Sequence, residues 1–169
     1  MEISAKIKTT KELTELRSNV IQQAKIVVFT NGCFDILHRG HVEYLEKASE
    51  LGDILIVGLN SDESTHRLKG KGRPLVPQDD RAYILASLSM VDYVTIFDED
   101  TPLELIKLVR PNVLVKGGDY KRDDIVGREF VEQQGGKVLT IPQVPGRSTT
   151  EIIDKMIHLV KKNEFGSQE

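Results

Sequence analysis

Phe29-Thr-Asn-Gly-Cys-Phe-Asp-Ile-Leu-His-Arg-Gly-His41 joins an apolar, β-rich run at residues 26–29 to an amphipathic helical pattern that begins near Val42. The point where a buried strand is followed by a helix is where an open α/β sheet binds its ligands. The helix start offers free N–H groups and a partial positive charge, and His38 and His41 add donors and, when protonated, full charge. This combination predicts a nucleotide-binding site that stabilises a phosphorus centre during group transfer.

Short apolar runs alternate with helical patterns along the rest of the chain, which predicts an α/β fold. The expected architecture is a Rossmann-like, doubly wound parallel sheet of about five strands in a single domain. The predicted strands cover residues 26–29, 53–59, 93–97, 113–116 and 138–141. The predicted helices cover residues 40–51, 62–68, 78–90, 101–109 with Thr101 as the cap, 123–134 and 149–161.

A further helix, from Thr9 or Thr10 to about Gln23, precedes the first strand. Residues 1–24 are therefore predicted to form a helical arm that packs on the domain, and residues 25–162 the domain itself. The polar residues 163–169 are predicted to be a disordered tail.

Composition narrows the classes of function. The chain has 169 residues, a net charge of −3 and no basic tail, which argues against a nucleic-acid partner. Its single cysteine, Cys33, cannot form an intramolecular disulfide. There is no apolar stretch of about 20 residues and no signal sequence, so a cytoplasmic location without a membrane partner is expected. Because the Gly-x-Gly-x-x-Gly and Walker A loops are absent, a dehydrogenase or a P-loop kinase is disfavoured.

The residues of the first motif leave three interpretations open. His38 and His41, about one helical turn apart, could donate to phosphates, or His38 could simply cap an ordinary helix. A metal site from Cys33, Asp35 and the two histidines is the third, although zinc ligands usually come as separated pairs. Asp35 could hold the turn through local N–H groups or act in catalysis, and Cys33 is expected to lend its backbone N–H group rather than act as a nucleophile.

Three later segments carry further candidates. Lys69, Lys71 and Arg73 alternate in a glycine-punctuated loop, which could close over phosphates or be an ordinary solvated surface. Arg81, at the start of the next predicted helix, could bind a ligand or form a surface ion pair. Lys116-Gly-Gly-Asp-Tyr120 follows the fourth strand and Gly146-Arg-Ser-Thr-Thr150 opens the last helix, so both are expected at the ligand edge of the sheet.

Taken in order, these motifs resemble those of the cytidylyltransferase-like nucleotidyltransferases. The resemblance spans about Ile26 to Met156 and rests on the segments Phe34-Asp35-x-x-His38-x-Gly40-His41, Lys69 with Lys71, Arg81, and Ser148-Thr-Thr150. Within that family, Thr30–His41, Gly58-Leu-Asn-Ser-Asp62, Arg73-Pro74 and Lys116–Tyr120 are most similar to the adenylyltransferases that act on D-glycero-β-D-manno-heptose 1-phosphate. In that family the adenylyltransferase is often fused to a sugar kinase. This sequence has no kinase half, so it would be the stand-alone form.

The resemblance implies a reaction and its participants. AMP would pass from ATP to the heptose 1-phosphate, giving ADP-heptose and pyrophosphate, with Mg²⁺ on the triphosphate and no metal ligand from the protein. The product would serve lipopolysaccharide or other surface glycans, and a homodimer or larger homo-oligomer is expected. The alternatives are cytidylyl or guanylyl transfer to glycerol 3-phosphate or another sugar phosphate, and a non-catalytic nucleotide-binding module.

The resemblance also assigns roles to individual residues. It makes His38, His41 and Lys71 catalytic. The residues that it assigns to nucleotide binding are Cys33, Phe34, His38, His41, Lys71, Lys116, Gly117, Asp119, Arg147, Ser148, Thr149 and Thr150. It places at the acceptor substrate Asn31, Lys69, Arg73 and Arg81. Glycerol-phosphate relatives carry an arginine before Ser-Thr-Thr where this chain has Gln143, and whether Arg147 supplies that cation stays open.

Overall fold

A computed structural model describes residues 2–118, 121–142, 145–162 and 164. The predicted tail at 163–169 therefore lies almost entirely outside the described residues. The sheet strands are β1 (Val27–Gly32), β2 (Ile54–Asn60), β3 (Tyr93–Phe97), β4 (Val113–Gly117) and β5 (Lys137–Ile141). The helices are α1 (Ile3–Lys6), α2 (Thr10–Gln22), α3 (Arg39–Ser49), α4 (Asp62–Lys69), α5 (Gln78–Ser87), α6 (Leu103–Val109), α7 (Arg128–Gln133) and α8 (Thr149–Lys161).

The five strands form one parallel sheet in the order β3-β2-β1-β4-β5. In its centre, Val28 of β1 pairs with Leu55 of β2 and Val113 of β4. The chain builds outward from β1 in one direction and then, after β3, returns to build in the other. The switch point of the sheet consequently lies between β1 and β4, and the predicted doubly wound α/β architecture is confirmed.

Apolar side chains cover both faces of the sheet, as parallel strands require. Successive residues of β1 point to opposite faces, so Val28 belongs to one hydrophobic cluster and Phe29 to the other. All seven residues of β2 are buried. This explains why the strands could be recognised as nearly continuous apolar runs.

The N-terminal segment is part of the packed structure. Leu13 of α2 is 1% exposed and lies in the same cluster as Phe29; burying such a side chain contributes about 1.5–3 kcal/mol. Ile7 forms a parallel bridge with Val94, and the Lys8 N–H donates to the Val94 carbonyl oxygen at 2.8 Å. The segment therefore pairs with β3, the strand at that edge of the sheet.

Two predictions about helices are wrong. The helix predicted over residues 123–134 is a 3₁₀ turn (Arg122–Asp124) followed by the separate helix α7. Gly127 separates them because its φ of 86° is left-handed and cannot continue a helix. The helix predicted to be capped by Thr101 has Pro102 at its N-cap, with no side-chain cap hydrogen bond. The short helix α1 lies within the predicted helical arm but was not predicted as a separate helix.

None of the helices in the described part of the chain has both the length and the apolar character that a bilayer crossing requires.

Candidate active site

A cleft of about 570 Å³ lies at the carboxyl ends of the strands, where the switch point places a ligand. The ends of β1, β2 and β4 form its floor, and the starts of α3 and α8 border it. Its lining includes most of the predicted site residues: Asn31, Cys33, Phe34, His38, His41, Lys69, Arg73, Lys116, Gly117, Arg147, Ser148, Thr149 and Thr150. Lys71 and Arg81 are not part of this lining, and Asp119 lies outside the described residues.

The two histidines lie against each other at the start of α3. His38 is the N-cap residue, in extended conformation, and its ring stacks on His41 with centroids 3.8 Å apart and planes at 22°. His41 also meets the edge of Phe34, at 5.1 Å between centroids. Phe34 is buried and adopts a left-handed φ of 45°, a strained conformation that typically occurs where a loop is shaped for a ligand.

Burial lowers the pKa of both imidazoles. It lowers the pKa of His41 to about 4, and the neighbouring His38 adds to the effect. The pKa of His38 is also lowered, mainly by burial, with Glu151 opposing and Arg147 reinforcing the shift. The Nδ1 atoms of both rings are buried without a hydrogen-bond partner among the described residues. A phosphate beside these rings would favour their protonated forms.

Two helix starts converge on the cleft, and Gly40 lies where they meet. A Cβ atom there would lie 3.0 Å from the His38 ring and 3.1 Å from the Arg147 carbonyl oxygen, so any larger residue would push these neighbours apart. Thr149 Oγ1 donates to the Ile36 carbonyl oxygen at 3.3 Å across the same junction. Since each helix start carries free N–H groups and a partial positive charge, the cleft holds two anion-binding helix ends.

Ser148 is the N-cap of α8, as predicted. Its Oγ accepts from the Glu151 N–H at 3.1 Å and donates to Glu151 Oε2 at 3.0 Å. In this capping arrangement, a serine and the glutamate three residues later provide hydrogen-bond partners for the first turn of the helix. The helix start is therefore fixed before any ligand binds.

Lys116 is a partly buried cation at the switch point. Its Nζ donates to the Asn31 side-chain oxygen, and burial lowers its pKa to about 8 while Cys33 opposes the shift. No carboxylate forms an ion pair with it among the residues that the structure describes. A buried ammonium group without a counter-ion is costly, and an anionic ligand would relieve that cost.

Asp35 has a structural role that spans distant parts of the chain. Its carboxylate is 3% exposed and accepts from the Leu75 N–H at 2.7 Å, the Val76 N–H at 3.0 Å and Arg73 Nε at 2.5 Å. The expectation that Asp35 bonds local N–H groups is wrong, because its partners follow forty residues later. The carboxylate fixes the segment that leads into α5.

Arg81 occupies a different place from the one predicted. The side chain is fully buried and donates to the carbonyl oxygens of Val76, Cys33 and Asn60 at 2.8, 2.5 and 2.9 Å. It also pairs with Asp62 Oδ1 at 2.7 Å. With its guanidinium engaged by these protein groups, Arg81 is neither a surface ion pair nor directed at a substrate in the cleft. Its hydrogen bonds to Cys33 and Asn60 connect the carboxyl ends of β1 and β2.

Lys71 lies on a segment that stands clear of the rest of the protein. Gly70 and Gly72 have φ values of 90° and 88°, and a Cβ atom at either would have nothing within 4 Å. The Lys71 side chain is exposed. It could reach the cleft only if the loop closed, so its catalytic role stays a prediction.

The metal interpretation of the first motif receives no support. Within the described ranges, no group of three or more histidine, cysteine, aspartate or glutamate side chains is placed to hold a metal ion. Asp35, one of its four proposed ligands, is already occupied by Arg73 and two backbone N–H groups.

Several residues that line the cleft were not anticipated from the sequence. They are Tyr44, Asn60, Leu68, Asp100, Pro102 and the segment 124–126. Tyr44 could have been predicted from the sequence, because it lies one helical turn after His41. In the structure its hydroxyl shares a 2.6 Å hydrogen bond with Thr30 Oγ1. Asn60 ends β2 and so belongs to the ligand edge. The segment 124–126 was hidden by the wrong helix prediction.

Comparison with known proteins agrees with this arrangement. The family model described as cytidylyltransferase-like matches residues 29–162. The Bifunctional protein HldE of Geobacter sulfurreducens is 57% identical over 156 residues, which are 92% of this chain and 32% of that protein. The Bifunctional protein HldE of Syntrophotalea carbinolica is 54% identical over 157 residues, 93% of this chain and 32% of that protein. The chain thus spans about a third of the length of these relatives.

Solved structures share the same architecture. The lipopolysaccharide core biosynthesis protein of Thermoplasma volcanium GSS1 has a TM-score of 0.59 and 31% identity, covering 71% of this chain and 97% of that one. The pantoate-beta-alanine ligase of Francisella tularensis has a TM-score of 0.58 and 16% identity, covering 96% and 81%. The second likeness concerns the fold alone.

Proposed function

This chain belongs to the cytidylyltransferase-like family of nucleotidyltransferases, and from that premise we propose that it transfers AMP from ATP to D-glycero-β-D-manno-heptose 1-phosphate. The products are ADP-heptose and pyrophosphate. One observation carries the proposal: two helix starts, a stacked histidine pair and a partly buried lysine, Lys116, which has no carboxylate partner among the described residues, surround one cleft. Groups of this kind favour a polyphosphate over other ligands.

The choice of nucleotide and acceptor rests on sequence. The segments Thr30–His41 and Lys116–Tyr120 resemble those of heptose 1-phosphate adenylyltransferases. Relatives called Bifunctional protein HldE share more than half of the aligned residues with this chain. A structural neighbour with 31% identity is called a lipopolysaccharide core biosynthesis protein, which agrees with a product used for surface glycans.

The reaction is a direct displacement at phosphorus. A phosphate oxygen of the sugar attacks the α-phosphorus of ATP, the bond to the bridging oxygen breaks, and pyrophosphate leaves with the electron pair. The attacking phosphate is already ionised near neutral pH, so it requires no general base. Catalysis then consists of positioning the reactants and stabilising spread negative charge. His38 and His41 supply donors whose protonated forms the phosphates favour.

The remaining residues divide between the two substrates. Lys116, Gly117 and the backbone N–H groups of Cys33 and Phe34 contact the nucleotide, together with the α8 start at residues 147–150. Lys69 and Arg73 contact the acceptor phosphate, and Lys71 joins the nucleotide phosphates when its loop closes. Asn31 contributes by holding Lys116 through its side-chain oxygen.

Magnesium fits the cleft only as a companion of the nucleotide. The described residues contain no cluster that could cage the ion, and magnesium commonly binds through substrate phosphates while retaining water. When bound there, it would neutralise charge on the triphosphate. The protein's own part is to hold the phosphates with helix N–H groups, lysines and histidines.

A homodimer or larger homo-oligomer is part of the same proposal. Met156, Ile157 and Val160 leave an apolar stripe of α8 exposed, and a second copy could cover it. Light scattering coupled to size-exclusion chromatography measures the mass; a monomer at micromolar concentration contradicts this part.

Because the reaction consumes ATP, we place it in the cytoplasm.

The decisive experiment is a matrix of nucleoside triphosphates against phosphate acceptors, read by pyrophosphate release in the presence of Mg²⁺. ATP with the heptose 1-phosphate should give the highest kcat/KM, and CTP or GTP should be poorer. Faster turnover with CTP and glycerol 3-phosphate would overturn the substrate assignment. Tight ATP binding without pyrophosphate release from any pair would instead support a non-catalytic nucleotide-binding module.

A further inference from the structure

The turn at residues 98–100 brings the Asp100 carboxylate to the rim of the cleft. The other lining carboxylates are Asp35, which is buried and paired with Arg73, and Asp124. This turn follows β3, and Asp100 lines the cleft beside Pro102 and Leu68. The Asp100 side chain is 72% exposed, so its free oxygen is accessible to a ligand. A carboxylate repels phosphate, and therefore its presence calls for a different function from that of the lysines.

One face of α4 holds this turn at each of its three residues. Ser61, the N-cap of α4, donates from Oγ to Asp98 Oδ1, and Ser64 Oγ donates to the Glu99 carbonyl oxygen at 3.1 Å. Arg67 Nε donates to Asp100 Oδ1 at 2.6 Å.

The three donors stand three residues apart and therefore share one side of the helix. Arg67 also donates to the Asp98 carbonyl oxygen, so one side chain clamps both ends of the turn. Asp100 is consequently a preorganised hydrogen-bond acceptor, unlike an acidic side chain that is free to move on the surface.

A buried amide connects this rim to the floor of the cleft. Asn60, at the end of β2, is 3% exposed and lines the cleft. Its Nδ2 donates to Ser64 Oγ at 3.0 Å, and its backbone carbonyl oxygen accepts from Arg81. The same serine that holds the turn thus positions Asn60.

The cleft therefore has two chemically different ends. Lys116 and the starts of α3 and α8 form an anion-binding end at the switch point. The β2–β3 side presents the Asp100 carboxylate and the Asn60 amide. The nucleotide phosphates are proposed above to occupy the anion-binding end, which leaves the β2–β3 side to the hydroxyl groups of the acceptor.

We propose that Asp100, held by Arg67, determines specificity by accepting hydrogen bonds from hydroxyl groups of the acceptor sugar. This inference rests on the proposed function in taking the acceptor to be a sugar phosphate. An ionised carboxylate only accepts hydrogen bonds, and its two oxygens can serve adjacent hydroxyls. A site built to bond a hydroxyl discriminates strongly against ligands that lack it.

The test compares Asp100→Asn with Asp98→Asn. The first removes the charge while keeping an oxygen that can accept from Arg67. The second is a matched control, because Asp98 belongs to the same turn and lies 3.7 Å from the same guanidinium but does not line the cleft. For both variants and the wild type, KM and kcat are measured for ATP and for the heptose 1-phosphate. Calorimetry measures binding of the same sugar phosphate in the presence of a non-hydrolysable ATP analogue.

Asp100→Asn should raise the KM and the dissociation constant of the sugar phosphate about tenfold or more, the loss typical of a hydrogen bond to a charged group. The KM for ATP should change less than twofold in both variants, and Asp98→Asn should resemble the wild type. An unchanged sugar-phosphate affinity in Asp100→Asn, or an equal loss in Asp98→Asn, would overturn the inference. No binding of the sugar phosphate by the wild type would overturn it as well.

These results separate the two proposals. Normal turnover by Asp100→Asn with unchanged affinity refutes the role of Asp100 alone. Sugar-phosphate binding that depends on Asp100, without pyrophosphate release by the wild type, supports the role of Asp100 and refutes the proposed transfer.

Discussion

Burial lowers the pKa of two residues that line the cleft, His41 to about 4 and Lys116 to about 8. In both cases desolvation is the main cause, because each side chain lies among packed neighbours and has no carboxylate beside it in the described part of the chain. Near neutral pH His41 is therefore uncharged in the free protein, whereas Lys116 keeps most of its charge. A phosphate beside His41 favours the protonated imidazole, so phosphate binding and proton uptake are linked at that position.

The histidine pair yields the first prediction. His38→Ala and His41→Ala should each lower kcat by about 10²–10³, because each removes a preorganised donor to developing charge. ATP affinity should fall less, since the helix starts and Lys116 remain. His66→Ala, at an exposed position of α4, is the control and should leave kcat unchanged. Normal turnover in both test variants would end the catalytic assignment.

Lys116 yields a second prediction at the same scale. Lys116→Met should weaken ATP binding about tenfold or more, because it removes a charge-assisted hydrogen bond. In the wild type, affinity should also decline as pH rises through about 8, where the buried ammonium loses its proton. The methionine variant should lack this decline. Calorimetry at pH 7 and pH 9 measures both effects; equal pH dependence in the two proteins would show that Lys116 does not contact the nucleotide.

At the scale of elements, the strands and most helices could be predicted because their patterns are local. β3 and α8 have the bounds that apolar runs and caps indicated, Tyr93–Phe97 and Thr149–Lys161. The helix at 123–134 was predicted wrongly because its apolar residues keep a helical spacing on both sides of Gly127, and spacing alone does not reveal a left-handed φ.

The roles of Asp35 and Arg81 depend on partners that no local pattern specifies. Asp35 bonds the segment at residues 73–76, and Arg81 bonds carbonyl oxygens at the ends of β1 and β2. The sequence indicated that both residues belong near the ligand edge. Only the folded chain shows that they are occupied in shaping it.

The loop between α4 and the Asp35-bound segment gives an element-scale prediction. Amide exchange at residues 71 and 72 should be fast in the free protein and slow when ATP and the acceptor are bound, because the glycines on this loop pack against nothing. Lys71→Ala should lower kcat/KM about tenfold, whereas Lys107→Ala, on the exposed side of α6, should have no effect. Unchanged kinetics in both Lys69→Ala and Lys71→Ala would assign the loop to the solvated surface.

At the scale of the whole molecule, the sheet order explains why sequence motifs far apart reach one cleft. Parallel strands place all their carboxyl ends at one edge, and the switch point between β1 and β4 separates the loops that border it. The N-terminal arm packs on the sheet away from this edge, and none of its described residues lines the cleft. The binding site is therefore built at a location where packing is interrupted, and its buried ionisable groups reduce the stability of the empty protein.

This cost predicts a pH dependence of the global unfolding free energy. His41 has a pKa of about 4 when folded and 6.5 ordinarily, so between these values the unfolded chain binds a proton that the folded chain does not. The free energy of unfolding is therefore unaffected by His41 above pH 6.5 and decreases as the pH falls towards 4. Linkage gives a loss of about 2 kcal/mol between pH 7 and pH 5 from this residue. His41→Gln should remove that part of the loss, whereas His66→Gln should retain it. Urea denaturation at the two pH values measures the difference, and an equal decline in the wild type and His41→Gln would show that His41 is not held neutral by burial.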